Sequence, residues 1–205
     1  MELTFVVSGK LWQRSLVMMD RETKSLWSHL LGKCMQGELK GAQLEMLPGS
    51  LTDWATWKSK HPESTVMILQ RVTDQFTREM YRNLNQFVAG MAQGPASKAW
   101  SFHQLNQNRL LNDTFADKPI VILFEAKSAT PFAYGRKVGE LTLTFETKQG
   151  TTIDRETGSQ WDLRSGVATA GKLKGEKLTP LVIISSFKKA WDSFHPKSDY
   201  WKPER

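Results

Sequence analysis

The sequence repeats itself, and this repeat restricts what the chain can fold into. The run Asp20-Arg21-Glu22-Thr23 occurs again as Asp154-Arg155-Glu156-Thr157. The same spacing continues without a gap and pairs Trp27 with Trp161, Gly32 with Gly166, Gly37 with Gly171, Leu39 with Leu173, Lys40-Gly41 with Lys174-Gly175, Leu44 with Leu178, Trp57 with Trp191 and His61-Pro62 with His195-Pro196. Chance does not easily match four consecutive residues, two tryptophans and a His-Pro pair in one frame. The chain therefore contains two copies of one module.

The two copies differ ahead of the shared run. The register shifts there, so that Glu2-Leu3-Thr4 faces Glu140-Leu141-Thr142, and the extra residues of the first copy fall near 9–13. We interpret that segment as the tip of a hairpin. The second copy begins near Trp100, and the first has no counterpart for residues 100–139. We therefore expect coding sequence upstream of Met1, or else self-association through the strand edge that the absent front leaves open.

Several segments have the patterns of β-strands. Residues 2–7 and 140–147 alternate apolar and polar side chains, which is typical of half-buried strands. The continuous apolar run Ile120–Phe124 predicts a central strand, and Pro131–Tyr134 is expected to pair with it. Residues 153–161 have the pattern strand, turn, strand.

Turn residues lie at fixed places in both copies. Asp154 can open a turn through its side chain, and Gly158 can take the left-handed closing position. Lys24 occupies that closing position in the first copy, at a steric cost that glycine does not have. The glycine-bounded stretches 37–41 and 171–175 each indicate a turn and a short strand.

A short helix is predicted at the end of each copy. Trp54, Trp57 and His61 share one helical face, and Pro62 ends that helix. Phe187, Trp191 and Phe194 repeat the pattern in the second copy. A further helix between the copies is predicted from Phe76, Met80, Leu84, Phe87, Val88 and Met91, with Thr73 or Asp74 as its cap and Gln93–Ser97 as a linker.

These elements predict a β-rich α+β protein. It has two repeated modules of short antiparallel strands, each closed by a short helix. The expected organisation is a truncated first module at 1–70, a helical connection and linker at 71–99, and a complete second module at 100–205.

Composition excludes several classes of function. The formal net charge is +7, but the basic residues are dispersed among acids, which argues against nucleic acid as a partner. Cys34 is the only cysteine, so no internal disulfide, Fe–S cluster or multi-cysteine zinc site can form. The dispersed histidines predict no metal site, and nothing in the sequence indicates a cofactor. No apolar run is long enough for a membrane helix, and the N-terminus has no basic segment or cleavage signal.

The repeated run is the strongest candidate for chemistry. Asp20, Arg21, Glu22, Asp154, Arg155 and Glu156 would supply paired carboxylates beside arginines, as general acid–base catalysis requires. The alternative is a tight turn whose Asp accepts bonds from backbone amides and whose Arg pairs locally. Presence of the run in both copies favours the structural interpretation. His61 and His195 end their helices, where the helix dipole favours a cation without any ligand.

The module resembles one family, the bacterial and archaeal domain of unknown function 3179. The resemblance covers nearly the whole chain. It rests on Leu16–Trp27, Gly37–Gly41, Leu47-Pro48, Trp54–Trp57 and His61-Pro62 in the first copy, and on Leu111–Thr114, Lys118–Val121 and Asp154–Trp161 in the second.

The resemblance also implies what this chain lacks. Family members typically carry both half-modules, often behind an export signal, and their first half has a Cys-Pro-Leu-Cys motif and a Trp-His-Glu triplet that look like a metal or thiol site. In the second copy of this chain, the place of the Cys-Pro-Leu-Cys motif is taken by Glu125–Ser128, and the place of the His-bearing triplet is taken by Gln107–Arg109. The function expected is a non-catalytic binding or structural domain, or a fragment of a longer exported protein. The alternative is an enzyme with an acid–base site in a cleft between the modules, or one that relied on a Cys-Pro-Leu-Cys site in the absent front.

Overall fold

The structure is a computed structural model that describes residues 1–49, 51–67 and 83–203. Strands dominate the described residues. They form five small sheets, and every pairing is antiparallel except the one between the strands Asp199–Tyr200 and Ala96–Ser101. The helices are α1 (Trp54–Lys60), a 3-10 turn (Leu84–Gln86), α2 (Phe102–Gln107) and α3 (Lys188–Phe194). No helix among the described residues is long and apolar enough to cross a membrane.

The chain divides into two compact units. The first contains residues 1–47 together with 189–197, and the second contains residues 48–188 together with the segment from Ser198 onward. The helix that follows the first copy, α1, thus belongs to the second unit. Most of α3, which follows the second copy, belongs to the first unit.

The first unit is built on a four-stranded meander. Its strands are β1 (Phe5–Trp12), β2 (Ser15–Asp20), β3 (Leu26–Ser28) and β4 (Lys33–Gln36), hydrogen-bonded in that order. In α3, Trp191 is fully buried, and Phe194 packs edge-to-face on Trp12 with ring centroids 4.9 Å apart.

The second unit contains the other four sheets. Their strands are β5 (Phe87–Gln93), β6 (Ala96–Ser101), β7 (Leu110–Phe115), β8 (Lys118–Glu125), β9 (Thr130–Gly135), β10 (Lys137–Val138), β11 (Leu141–Thr142), β12 (Phe145–Lys148), β13 (Thr151–Asp154), β14 (Gln160–Asp162), β15 (Val167–Ala170), β16 (Ile184–Phe187) and β17 (Asp199–Tyr200). The sheet orders are β16-β5-β6-β17, β7-β8-β9, β10-β11 and β12-β13-β14-β15. The last is the same meander as β1–β4.

Equivalent hydrogen bonds fix the register of the two meanders. Phe5 pairs with Asp20, and Phe145 pairs with Asp154. Leu3-Thr4-Phe5 is therefore equivalent to Leu143-Thr144-Phe145, and the predicted match of Glu2-Leu3-Thr4 with Glu140-Leu141-Thr142 was wrong by two residues. The dipeptide Leu-Thr occurs twice in the second copy, at 141–142 and at 143–144. Only the pairing of β12 with β13 shows which occurrence matches the first copy.

The extra residues of the first copy lengthen its hairpin, as predicted. β1 and β2 extend to a turn in which Gln13 and Arg14 have φ values of 48° and 65°, the backbone of a type I′ turn. Gly9, predicted at the tip, instead has φ of 73° in a bulge where the register shifts between Val7 and Leu11.

Several predicted elements are confirmed. Ile120–Phe124 lies within β8, the central strand of β7-β8-β9, and Pro131–Tyr134 lies within β9. Gly158 has φ of 68°, and Lys24 at the equivalent position is also left-handed, with φ of 59°. α1 ends at Lys60, with His61 as its C-cap.

The helix predicted between the copies was wrong where the structure describes it. Phe87, Val88 and Met91 lie in β5, which is paired with a strand on each side and is buried from Phe87 to Met91. Burial on both faces removes the alternation that normally marks a strand. The predicted linker, Gln93–Ser97, is instead the β5–β6 hairpin turn and the ends of its strands. Phe76, Met80 and the two proposed caps lie outside the described residues.

Two smaller strand predictions also need correction. Residues 140–147 contain two short strands, β11 and the start of β12, rather than one. The stretches 37–41 and 171–175 are turns without a strand, and only single bridges, Lys33 to Gln43 and Val167 to Lys177, flank them.

The core of the second unit consists of two apolar clusters. One packs β5, β6 and α2 against β8 around Trp100, Leu105 and Phe124. The other packs the β12–β15 meander against β8 and β9, with Val121 and Tyr134 contacting the group of Leu143 and Trp161. This second cluster holds the repeated turn in place.

Candidate functional site

The repeated run forms the same buried network in each unit. In the first, Asp20 Oδ1 accepts hydrogen bonds from the Thr23 backbone N–H at 2.5 Å and from Thr23 Oγ1 at 2.8 Å. Asp20 Oδ2 accepts from Trp27 Nε1 at 2.8 Å. Asp20 and Ser25 are fully buried, and Ser25 Oγ accepts from the Leu39 amide.

The second unit reproduces this network at Asp154. Its Oδ1 accepts from the Thr157 amide at 2.6 Å, and its Oδ2 accepts from Thr157 Oγ1, the Ser159 amide and Trp161 Nε1 at 3.0, 3.1 and 2.9 Å. Ser159 Oγ accepts from the Leu173 amide at 2.9 Å. The carboxylate is fully buried, and its side-chain partners among the described residues lie at 157–161, in the turn and the strand that follows it.

The two glutamates of the run also have structural partners. Glu22 Oε2 accepts from the Thr4 amide at 2.9 Å, and Glu156 Oε2 accepts from the Thr144 amide at 2.8 Å. The amides of Arg21 and Arg155 donate back to the carbonyls of the same two threonines. Each glutamate therefore attaches its turn to the neighbouring strand.

The hydrogen bonds to Asp20, Glu22 and Glu156 favour the charged forms of these three carboxylates. Burial alone would raise the pKa of Asp20, but the hydrogen bonds from Trp27 and Thr23 outweigh it and lower that pKa to about 2. The bond from Thr4 lowers the pKa of Glu22. Burial opposes a similar bond from Thr144 at Glu156, and the pKa is again lowered. A general acid at neutral pH needs a raised pKa instead.

The arginines of the run are exposed and do not face its aspartates. Arg155 Nε donates to Glu146 Oε2 across the strand pair at 2.7 Å, and both side chains are substantially exposed to solvent. The side chain of Arg21 is exposed. Cys34 is buried, and its thiol donates weakly to the Gln36 carbonyl at 3.5 Å. Across residues 1–49, 51–67 and 83–203, no three His, Cys, Asp or Glu side chains gather as a metal site.

A cleft in the second unit is the other candidate site. Its apolar end has a volume of about 260 Å³ and is lined by Pro48, Gly49, Trp57, Pro131, Phe132, Ala133, Tyr134, Pro180, Leu181 and Ile183. Its polar end has a volume of about 140 Å³ and is lined by Thr52, Thr56, Trp57, Lys60, His61, Phe132 and Arg164. Trp57 and Phe132 line both ends, so the two ends are neighbours.

Helix α1 supplies one wall of the cleft. Asp53 caps the helix by accepting from the Thr56 amide at 2.8 Å, and this bond lowers the pKa of Asp53. Trp57 and His61 are one turn apart, with ring centroids 4.1 Å apart. Lys60 Nζ lies 5.6 Å from the centroid of the Phe132 ring.

The polar end contains one buried hydroxyl without a partner. Thr52 Oγ1 is inaccessible to solvent and makes no hydrogen bond to any described residue. Arg164 completes the polar end, and its Nε donates to Glu125 Oε2 at 2.5 Å. The sequence identified Trp57 and His61 as one helical face but gave no signal for Thr52, which precedes the helix cap, or for Phe132 and Arg164, which come from distant segments.

The helix-terminal histidine of the second copy has a similar local geometry. His195 lies 4.2 Å from Trp191 by ring centroids, and its Nε2 is buried without a hydrogen-bond partner among the described residues. Burial lowers the pKa of His195. The Trp-x-x-x-His pair is therefore a repeated packing unit.

The fold and the repeated turn define a β-rich protein with two meanders of one design. The family described as protein of unknown function (DUF3179) matches residues 1–86 and again residues 77–198. The chain belongs to this family. No curated protein and no solved structure matches it.

Proposed function

We propose that this chain is a non-catalytic binding or structural domain. In this proposal it consists of two repeated modules, at 1–70 and 100–205, and each contributes a meander and a short helix. Support comes from the two family matches, at 1–86 and 77–198, and from the identical strand order of the meanders.

The burial of the repeated aspartates carries the proposal. Asp20 and Asp154 are fully buried, and each carboxylate accepts hydrogen bonds from its own threonine and tryptophan. A carboxylate in this state cannot reach a substrate without breaking its turn. The run therefore serves the fold, and the accessible cleft is the better place for a ligand.

The alternative is an enzyme that uses the exposed members of the run. Arg21, Glu22, Arg155 and Glu156 are exposed, so substitutions there can separate chemistry from folding. Wild-type protein and the variants Arg21→Gln and Arg155→Gln would be tested against chromogenic esters, phosphoesters, glycosides and peptides, with thermal melts in parallel.

We expect no turnover above buffer for the wild type and nearly unchanged melting for both variants. Turnover by the wild type that falls at least about tenfold in either folded variant would overturn the proposal in favour of the enzyme, because such a loss is the usual size of a removed catalytic group.

A further inference from the structure

We infer that the cleft in the second unit binds an organic monocarboxylate with an apolar body. This inference rests on the proposed function, because it treats the chain as a binder. The ligand's hydrocarbon part would occupy the end lined by Pro131, Pro180, Leu181 and Ile183, and its carboxylate would lie at the end lined by Thr52, Lys60 and Arg164.

The charges at the polar end favour an anion with a single negative charge. Lys60 and Arg164 are cations, and no carboxylate lines this end. Glu125 pairs with Arg164 through Arg164 Nε, and the negative charge of Asp162 also acts on this arginine. Lys60 is then the cation of this end that forms no ion pair with a described residue, and a single such charge matches a carboxylate better than a phosphate dianion.

The hydroxyl of Thr52 points to a missing hydrogen-bond acceptor. A buried hydroxyl without a partner costs free energy, and native proteins rarely leave one unsatisfied. Thr52 Oγ1 is such a group, and it lines the same end as the two cations. A carboxylate oxygen would accept from it while meeting Lys60 or Arg164.

The apolar end favours a hydrocarbon body over a free small anion. Its walls are prolines, aliphatic side chains and the rings of Trp57 and Phe132, and it has nearly twice the volume of the polar end. Ligand sites usually combine such walls with a few polar groups that fix orientation. A small inorganic anion would leave this larger end unfilled.

The test uses the full chain and three probes that share one hydrocarbon body: octanoate, 1-octanol and octylamine. Calorimetry should show octanoate binding at least about tenfold more tightly than 1-octanol, and octylamine more weakly still, because only the carboxylate has matching charge and an acceptor for Thr52. Inorganic phosphate should compete poorly.

Variants assign the binding to the cleft. Thr52→Val should weaken octanoate binding several-fold without lowering the melting temperature, because the unbound protein loses only an unpaired hydroxyl. Lys60→Gln should weaken octanoate binding but not 1-octanol binding. Lys148→Gln is the charge-matched control, since Lys148 is exposed in the same unit and lines neither end of the cleft.

Three results would overturn the inference. Equal affinity for octanoate and 1-octanol would leave only an apolar groove, and phosphate binding as tight as octanoate would indicate a general anion site. Octanoate binding unaffected by Thr52→Val and Lys60→Gln would place the ligand elsewhere. These three results concern ligand affinity alone. Failure of the proposed function would appear as turnover by the wild-type protein, so the two failures are distinguishable.

Discussion

The indole Nε1 of Trp161 donates a hydrogen bond of 2.9 Å to Asp154 Oδ2 inside the second meander. The exposed fraction of the indole is 4%, and the carboxylate is fully buried, so each group needs the other as its partner. The first unit has the same bond between Trp27 and Asp20 at 2.8 Å. In both copies the spacing Asp-x-x-Thr-x-Ser-x-Trp lets one carboxylate accept from the threonine and from the tryptophan.

The first prediction concerns this carboxylate. Asp154→Asn preserves the size of the side chain but removes its charge and turns an N–H₂ group toward donors that need an acceptor. We expect the free energy of unfolding to fall by about 3 kcal/mol, as for the loss of charged hydrogen bonds at a buried site. Urea denaturation measures it.

Asp117→Asn is the matched control for that measurement. Asp117 is exposed in a turn with φ of 61°, a conformation that Asn tolerates well. Its unfolding free energy should stay within about 0.5 kcal/mol of the wild type. If Asp154→Asn behaved like this control, the buried network would not be what stabilises the turn.

The second prediction is an acid-induced loss of stability that depends on Asp20. The pKa of Asp20 is lowered in the folded protein from its ordinary value of 3.8 to about 2. Because the folded pKa is lower, its contribution is fully present above about pH 4 and is lost as the pH falls toward 2. Melting temperatures between pH 5 and 2 should therefore decline less steeply for Asp20→Asn than for the wild type. Parallel curves would contradict this role for Asp20.

The sequence predicted the turn but not its use of the indole. Asp at the start of a turn and Gly158 at its end are local signals, and both were interpreted correctly. The bond to Trp161 joins residues across a strand pair, so it depends on the register of β13 and β14, which no local pattern specifies. The structural interpretation of the run therefore rested on its repetition rather than on an identified partner.

The residues that line the cleft could not be predicted from the sequence for a related reason, because several of them meet only in the folded chain. Trp57 was placed correctly on a helical face, but Phe132 and Arg164 reach it from segments far away in the chain. β5 was mistaken for a helix because Phe87, Val88 and Met91 also fit helical spacing, and a strand buried on both faces has no alternation to distinguish it. Gly94-Pro95 was the local evidence for a hairpin there, and it was interpreted as a linker.

The third prediction compares two glycines of one turn. Gly171 and Gly175 have nearly equal φ values, 90° and 91°, so alanine is strained to a similar degree at both. A Cβ at Gly171 would lie 2.7 Å from Ser159 Cα, whereas a Cβ at Gly175 meets nothing within 4 Å. Gly171→Ala should therefore be less stable than Gly175→Ala by about 2 kcal/mol, through overpacking against backbone. Equal denaturation midpoints would show that Ser159 moves aside freely.

The last prediction concerns the lengthened hairpin of the first unit. β1 is the outer strand of its sheet, and the side chains of Val7 and Leu11 are 69% and 70% exposed. An outer strand with exposed apolar side chains can pair with another chain. We expect concentration-dependent self-association in sedimentation velocity. The double variant Val7→Lys, Leu11→Lys should shift the protein to monomer, since lysine on an edge opposes pairing.

Thr147→Lys is the control for this prediction. It adds a lysine at an exposed position of β12, the equivalent strand of the second unit, and should leave association unchanged. A wild-type protein that stays monomeric at high concentration would exclude this role for the hairpin.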